Sequence, residues 1–235
     1  MNEARIEALG DSALLITLGE RIDAHLNAST VALAERLAAA RLPGVGDVAP
    51  AYASVCLRYD PVAWSGAGNA SPFAAISARL RELLQDELAG APSVADSTSI
   101  DIAVCYGGEF GPDLQHVAAH AKLDVDEVVA RHCAGEYRVA MLGFAPGFPY
   151  LLGLDVALHA PRRDSPRVRV PAGSVAIGGA QTGIYPSELP GGWQIIGRTP
   201  LTLFDATRAM PALLAAGQHV RFRAISPAQF AARAA

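Results

Sequence analysis

The chain has 235 residues, 51% of them hydrophobic and 18% charged, enough apolar material for one large or two ordinary domain cores. A net charge of −4 argues against nucleic acid as a partner. Neither an export leader nor a membrane span is expected, because the longest aliphatic stretch, Val31 to Ala40, is broken by Glu35 and Arg36.

Taken in order, Arg5 to Leu9 and Ala13 to Leu18 are apolar alternations around Gly10-Asp11, a strand-turn-strand signal. A helix is predicted from Leu26 to Leu42, where Leu26, Val31, Leu33, Leu37 and Ala38 recur at helical spacing until Pro43-Gly44 ends the pattern. Val45 to Ala49 and Tyr52 to Tyr59 read as two further strands. Ser71-Pro72, a capping serine before a proline at the first helical position, opens a second helix to about Leu88. The order ββαββα predicts a small α+β sandwich over residues 1–90. Residues 91–98, within the small polar run Gly90 to Ser99, read as a linker to a second domain over 99–235.

That second domain opens with a strand at Ile100 to Val104 and a glycine-rich loop, Tyr106 to Asp113. The loop matches no dinucleotide or P-loop spacing and is read as a structural turn in preference to a phosphate cradle. Asp113 and Asp124 are predicted to cap helices over Leu114 to Ala121 and Val125 to Cys133, ahead of a strand at Glu136 to Leu142. Leu142 to Asp205 then concentrates 10 of the 22 glycines and 8 of the 16 prolines. Short apolar runs at Val168 to Val170, Val175 to Ile177 and Gln194 to Ile196 alternate with these turn residues, which predicts a compact β-barrel or sandwich.

Several chemistries are excluded by what is scarce. Lys122 is the one lysine among 19 basic residues and lies in Ala-Lys-Leu-Asp, so a P-loop, a Ser-Ser-Lys amidase relay, a pyridoxal Schiff base and a biotin attachment have no residue to use here. Cys56, Cys105 and Cys133 are too few and too scattered for a disulfide framework or a paired-cysteine zinc site, which predicts a reducing, cytoplasmic setting. His116 and His120, one helical turn apart, lack the surroundings of a zinc motif and are read as solvated or capping residues, so no metal is expected. His132-Cys133 has no triad context and Ser174 no nucleophile elbow.

The positive candidates are the arginines. Residues 1–97 carry 7 basic and 12 acidic side chains, whereas residues 98–235 carry 12 and 11, and the densest basic point is Arg162, Arg163, Arg167 and Arg169 around Asp164. Strand alternation would place Arg167 and Arg169 on one side, where they could take a carboxylate or phosphate. Gln181, Tyr185, Trp193, Arg198 and Thr199 supply donors and aromatic faces nearby, and Gly191 and Gly192 would let backbone approach a ligand. Arg163, beside Asp164 in an expected surface turn, is read as a bystander. Phe144, Phe148 and Tyr150 read as core or partner interface.

The motifs GFAPGFPYLLGL, PRRDSPRVRVPAGSVAIGG, QTGIYP and PGGWQIIGRT, with LPGVGDVAPAYASVCLRYDP upstream, resemble the family of the 5-oxoprolinase B subunit, also called allophanate hydrolase subunit 1. That family includes an inhibitor of a sporulation histidine kinase and is similar to the first half of the carboxyltransferase domain of urea carboxylase. Leu152 and Leu189 depart from its usual small residues. The resemblance implies an α+β domain followed by a cyclophilin-like β-barrel. It also implies ATP-dependent, Mg2+-assisted opening of 5-oxoproline to glutamate, shared with a second carboxyltransferase-like subunit and a third, unrelated one. Two other roles are implied as alternatives: docking on a sensor kinase, and a part in a urea carboxylase system, whose biotin this chain could not carry.

Overall fold

A computed structural model describes residues 4–66, 71–85 and 99–234. The chain divides into two compact units, Met1–Asp96 and Ser97–Ala235. The expected linker at 91–98 and the end of the second helix beyond Gln85 lie outside the described residues.

In the first unit, β1 (Arg5–Ala8), β2 (Ala13–Thr17), β3 (Val45–Pro50) and β4 (Ser54–Tyr59) form an antiparallel sheet in the order β1-β2-β4-β3. Alternation puts Leu14 and Ile16 of β2 and Val55, Leu57 and Tyr59 of β4 on one face. That face is covered by α1 (Ala24–Ala39), through Leu33 and Leu37, and α2 (Pro72–Gln85), through Ile76 and Leu80. This is the sandwich the periodicity predicts. Helix α1 starts two residues before its first large apolar residue, because Asp23 caps it by accepting from the Leu26 N–H at 2.9 Å.

The second unit is a closed seven-stranded barrel in the order β10-β7-β6-β13-β5-β12-β9. Its strands are β5 (Ile100–Tyr106), β6 (Tyr137–Leu142), β7 (Pro149–Leu152), β9 (Ser174–Gly178), β10 (Gln181–Ile184), β12 (Gln194–Arg198) and β13 (His219–Ala224). Only the β13–β5 pairing is parallel. Between β5 and β6 run α3 (Leu114–Ala121) and α4 (Val125–Ala134), and α5 (Pro227–Ala234) follows β13. A separate ribbon pairs β8 (Arg167–Val170) with β11 (Leu189–Gly191).

Strands β7, β9 and β12 sort their side chains between two cores. Leu151, Val175, Ile177, Ile184 and Ile196 point into the barrel, where Leu114, Val117 and Val128 of α3 and α4 join them. Their neighbours Tyr150, Ala176, Tyr185 and Ile195 instead meet Phe148, Trp193 and, from the ribbon, Val170 and Leu189. The second cluster lies between barrel wall and ribbon, and the candidate site is built there.

The glycine-rich loop after β5 is a structural turn. Gly107 and Gly108 adopt left-handed φ values of 70° and 51°, and Phe110 and Gly111 N–H groups close onto the Gly107 carbonyl. At Gly111 a Cβ would stand 2.0 Å from the Ile196 carbonyl oxygen, so only glycine lets the loop lie on β12.

Candidate functional site

The outer cluster is organised around Phe148. Its ring centroid lies 4.9 Å from Tyr150, 5.2 Å from Tyr185, 5.6 Å from Phe144 and 5.8 Å from Trp193, and the last three contacts are edge-to-face. Glycines make this packing possible. A Cβ on Gly178 would enter the Trp193 ring at about 2.5 Å, and one on Gly191 would meet the Tyr185 hydroxyl at 2.1 Å. Phe144 is held at φ 68°, a conformation non-glycine residues rarely adopt, and keeps 63% of its surface exposed.

These rings form the walls of an open cavity of about 310 Å³. Its other lining comes from Arg162, Arg163, Pro166 and the turn Pro190-Gly191-Gly192. The Arg162 guanidinium carbon sits 5.7 Å from the Trp193 ring centroid, a cation–π arrangement. Burial raises the hydroxyl pKa of both Tyr150 and Tyr185, and the Arg162 charge opposes that rise at each. At neutral pH both phenols therefore keep their protons and can serve as donors.

Behind the cavity stands Asp113, a residue whose role the sequence misplaces. It occupies the N-cap position of α3 but makes no side-chain cap hydrogen bond, unlike Asp124, which accepts from the Glu127 N–H at 2.7 Å. The Asp113 carboxylate, 6% exposed, instead takes Arg167 bidentately at 2.8 Å through each oxygen. It also accepts from Arg163 Nη1 at 3.2 Å and from the Ile195 N–H at 2.7 Å. One carboxylate thus ties β12, the start of α3 and the segment entering β8 together. Arg163 is accordingly no bystander paired with Asp164.

The remaining sequence candidates divide cleanly. Arg162, Tyr185, Gly191, Gly192 and Trp193 line the cavity, and so do Phe144, Phe148 and Tyr150, so the aromatic and ligand candidates form one feature. Arg167 turns to Asp113, while Arg169 points to solvent with a 3.6 Å contact to Glu188 and a 79% exposed side chain. The two do not share a target. Arg198 donates from Nε to the Ala172 carbonyl at 2.9 Å, and buried Thr199 accepts from the Leu201 N–H at 3.2 Å. Gln181 opens β10, partly exposed and outside the cavity lining. Pro190-Gly191 is strand as well as turn, since it forms β11.

The barrel interior holds a polar network that no motif announces. Thr182 Oγ1 donates to the Ala176 carbonyl at 3.0 Å, so it accepts from His132 Nε2 at 3.2 Å, and His132 Nδ1 accepts from the Tyr106 hydroxyl at 2.8 Å. Cys133 Sγ contacts that hydroxyl at 3.6 Å, and the Tyr137 hydroxyl donates to the His132 carbonyl at 2.9 Å. Complete burial lowers the His132 pKa to about 3, and burial raises those of Tyr106 and Tyr137. His132 is therefore neutral, with both ring nitrogens used. His116 and His120 are exposed on α3, and no cluster of three or more His, Cys, Asp or Glu side chains suited to a metal occurs among the described residues.

The profile of the family described as carboxyltransferase domain, subdomain C and D, matches residues 4–214. The chain belongs to that family. It is similar to the B subunit of 5-oxoprolinase from Bacillus subtilis (strain 168), with 45% identity over 225 residues that make up 94% of this chain and 93% of the relative. This bears out the resemblance carried by the glycine- and proline-rich motifs. Among solved structures, that of TTHA0988 superposes with a TM-score of 0.77 at 37% identity, covering 91% of this chain and 40% of that longer one. The Kluyveromyces lactis urea amidolyase shares the fold at 19% identity, with a TM-score of 0.73 over 97% of this chain and 15% of its own length. A carboxyltransferase-like α+β architecture with a closed barrel is common ground. No described helix is long and apolar enough to cross a membrane.

Proposed function

We propose that this chain is the B subunit of an ATP-dependent 5-oxoprolinase, acting in the cytoplasm with a second carboxyltransferase-like subunit and a third subunit to open 5-oxoproline to glutamate. The observation that carries the reading is 45% identity along nearly the whole of both chains to a protein of that name. The cavity supports it. At about 310 Å³ it sits at the floor of the range for ligand pockets, roughly 300–1,000 Å³, which suits a small planar ring better than a nucleotide. Aromatic walls, protonated phenols and a guanidinium are complementary to a flat lactam bearing a carboxylate.

The cavity offers hydrogen-bond donors but no general base. His132 is sealed in the barrel interior with both nitrogens engaged, and the phenols are held protonated. ATP fits this cavity poorly by size, so we assign the nucleotide chiefly to the other subunits. Exposed Phe144 at the cavity rim is the residue we assign to partner contact.

The test is reconstitution. The isolated chain is expected to release no glutamate from 5-oxoproline, and turnover is expected once the partner subunits and ATP are added. Turnover by the chain alone refutes the division of labour; an inactive complete complex refutes the assignment.

A further inference from the structure

The basic cluster around the cavity contains four arginines, and three are already committed. Arg167 gives both terminal nitrogens to Asp113, Arg163 gives Nη1 to the same carboxylate, and Arg169 faces Glu188 with its side chain largely in solvent. Arg162 differs. Among the described residues no carboxylate pairs with it, and it lies against the face of Trp193. A cation–π contact fixes the position of a guanidinium without consuming its N–H donors, so the fork stays available for a bidentate anion. The platform is itself rigid, since Gly178 lies against the indole ring and Phe148 and Tyr150 pack edge-on to it.

The local charge agrees with this. Arg163 and Arg167 outnumber the one carboxylate they share, and Arg162 adds a further positive charge beside it, so the basin is cationic before any ligand enters. Arg162 also lines the same cavity as Tyr185 and Gly192. An anion taken there would lie within reach of ring-binding walls, which a free phosphate or sulfate would not use. We propose that Arg162, presented on the face of Trp193, binds the carboxylate of the planar lactam substrate and so sets specificity for a carboxylated ring. This rests on the functional reading above and names the residue that recognises the substrate.

The experiment uses the reconstituted complex with Arg162→Gln, and compares 5-oxoproline as substrate with its neutral carboxamide as a competitive inhibitor. Arg162→Gln is expected to raise the KM for 5-oxoproline roughly 10- to 100-fold, the effect of losing a charge-assisted hydrogen bond, with kcat little changed. Inhibition by the carboxamide should be weak and the same in both proteins. Arg169→Gln, outside the cavity, should leave both constants as they are. Melting curves for each variant check that the exposed substitutions preserve the fold. If the wild-type complex turns over 5-oxoproline and Arg162→Gln leaves KM unchanged, the proposal falls while the functional reading stands. Equal weakening toward acid and carboxamide also overturns it, because Arg162 would then act as a wall. A wild-type complex without 5-oxoprolinase activity removes the functional reading and this proposal together.

Discussion

Asp113 offers the sharpest test of how the second unit is held together. Asp113→Asn keeps an oxygen that can accept from the Ile195 N–H at 2.7 Å but removes the charge facing Arg163 and Arg167. Breaking a fully buried ion pair costs roughly 3–5 kcal/mol. Here the carboxylate is 6% exposed but the guanidinium-bearing side chains are 36% and 24% exposed, so water recovers part of the loss. We expect about 2–3 kcal/mol for Asp113→Asn, the range for charge-assisted hydrogen bonds in partly solvated positions. At about 2–4 °C per kcal/mol for a unit of this size, the barrel transition should fall by roughly 4–12 °C. Asp164→Asn is the control, an exposed carboxylate outside this network, and should stay within about 0.5 kcal/mol of wild type. The assay is thermal and urea unfolding followed by tryptophan fluorescence, because Trp193 lies in the affected cluster. A double-mutant cycle with Arg167→Ala should return a coupling of more than about 1 kcal/mol. If Asp113→Asn melts with Asp164→Asn, the carboxylate is not the tie described here.

Two neighbouring glycines should separate packing from binding. Gly191→Ala forces a Cβ to 2.1 Å from the Tyr185 hydroxyl and should lower the melting temperature, whereas the nearest atom to a Gly192 Cβ is 3.6 Å away, so Gly192→Ala should fold normally yet weaken 5-oxoproline binding by occupying the cavity. The opposite order in a thermal melt refutes the packing. For His132 the folded pKa of about 3 lies below the ordinary 6.5, so the unfolded chain takes up a proton first as pH falls. Its stabilising contribution is complete above about pH 6.5 and declines toward about pH 3, with a slope of at most about 1.4 kcal/mol per pH unit, and His132→Gln should flatten the difference measured between pH 6.5 and 5.

The sequence was most legible where periodicity and punctuation agreed. The order ββαββα emerged because β2 and β4 alternate strictly and Ser71-Pro72 announces α2. The second unit was legible as a class but not strand by strand: β7 and β10 of the barrel and β11 of the ribbon are three or four residues long, and Gly183 and Pro190 inside the last two look like turns until their partners are known. β13 and α5 carried no distinctive motif. The cavity was largely readable because Arg162, Tyr185 and the Pro190 to Trp193 turn are close in sequence. Asp113 was not, since a helix-capping aspartate and one recruited by arginines 50 and 54 positions later have the same local signature. His132 was hidden likewise, as Thr182, its partner, lies 50 positions away.

One wall explains why a barrel can serve as a binding platform. In β9, Val175 and Ile177 face the interior and Ala176 faces the aromatic basin; in β10, Thr182 faces His132 and Gly183 lies against Phe148. Inside, Tyr106, His132 and Thr182 engage one another in a neutral network, which leaves no free valence there for a ligand. The outer face is built the other way, with glycines making room for rings and one carboxylate shared by two arginines. Because side chains alternate with a period of two, a one-residue slip of β10 would carry Thr182 into the basin, and a slip of β9 would carry Val175 and Ile177 out of the core. The register is therefore fixed by the interior, and the positions of the rings and of Arg162 outside follow from it. Chemistry at the outer face can be tuned through Arg162 or Gly192 at little cost to the barrel, whereas buried Tyr185, His132 and Thr182 leave no such freedom.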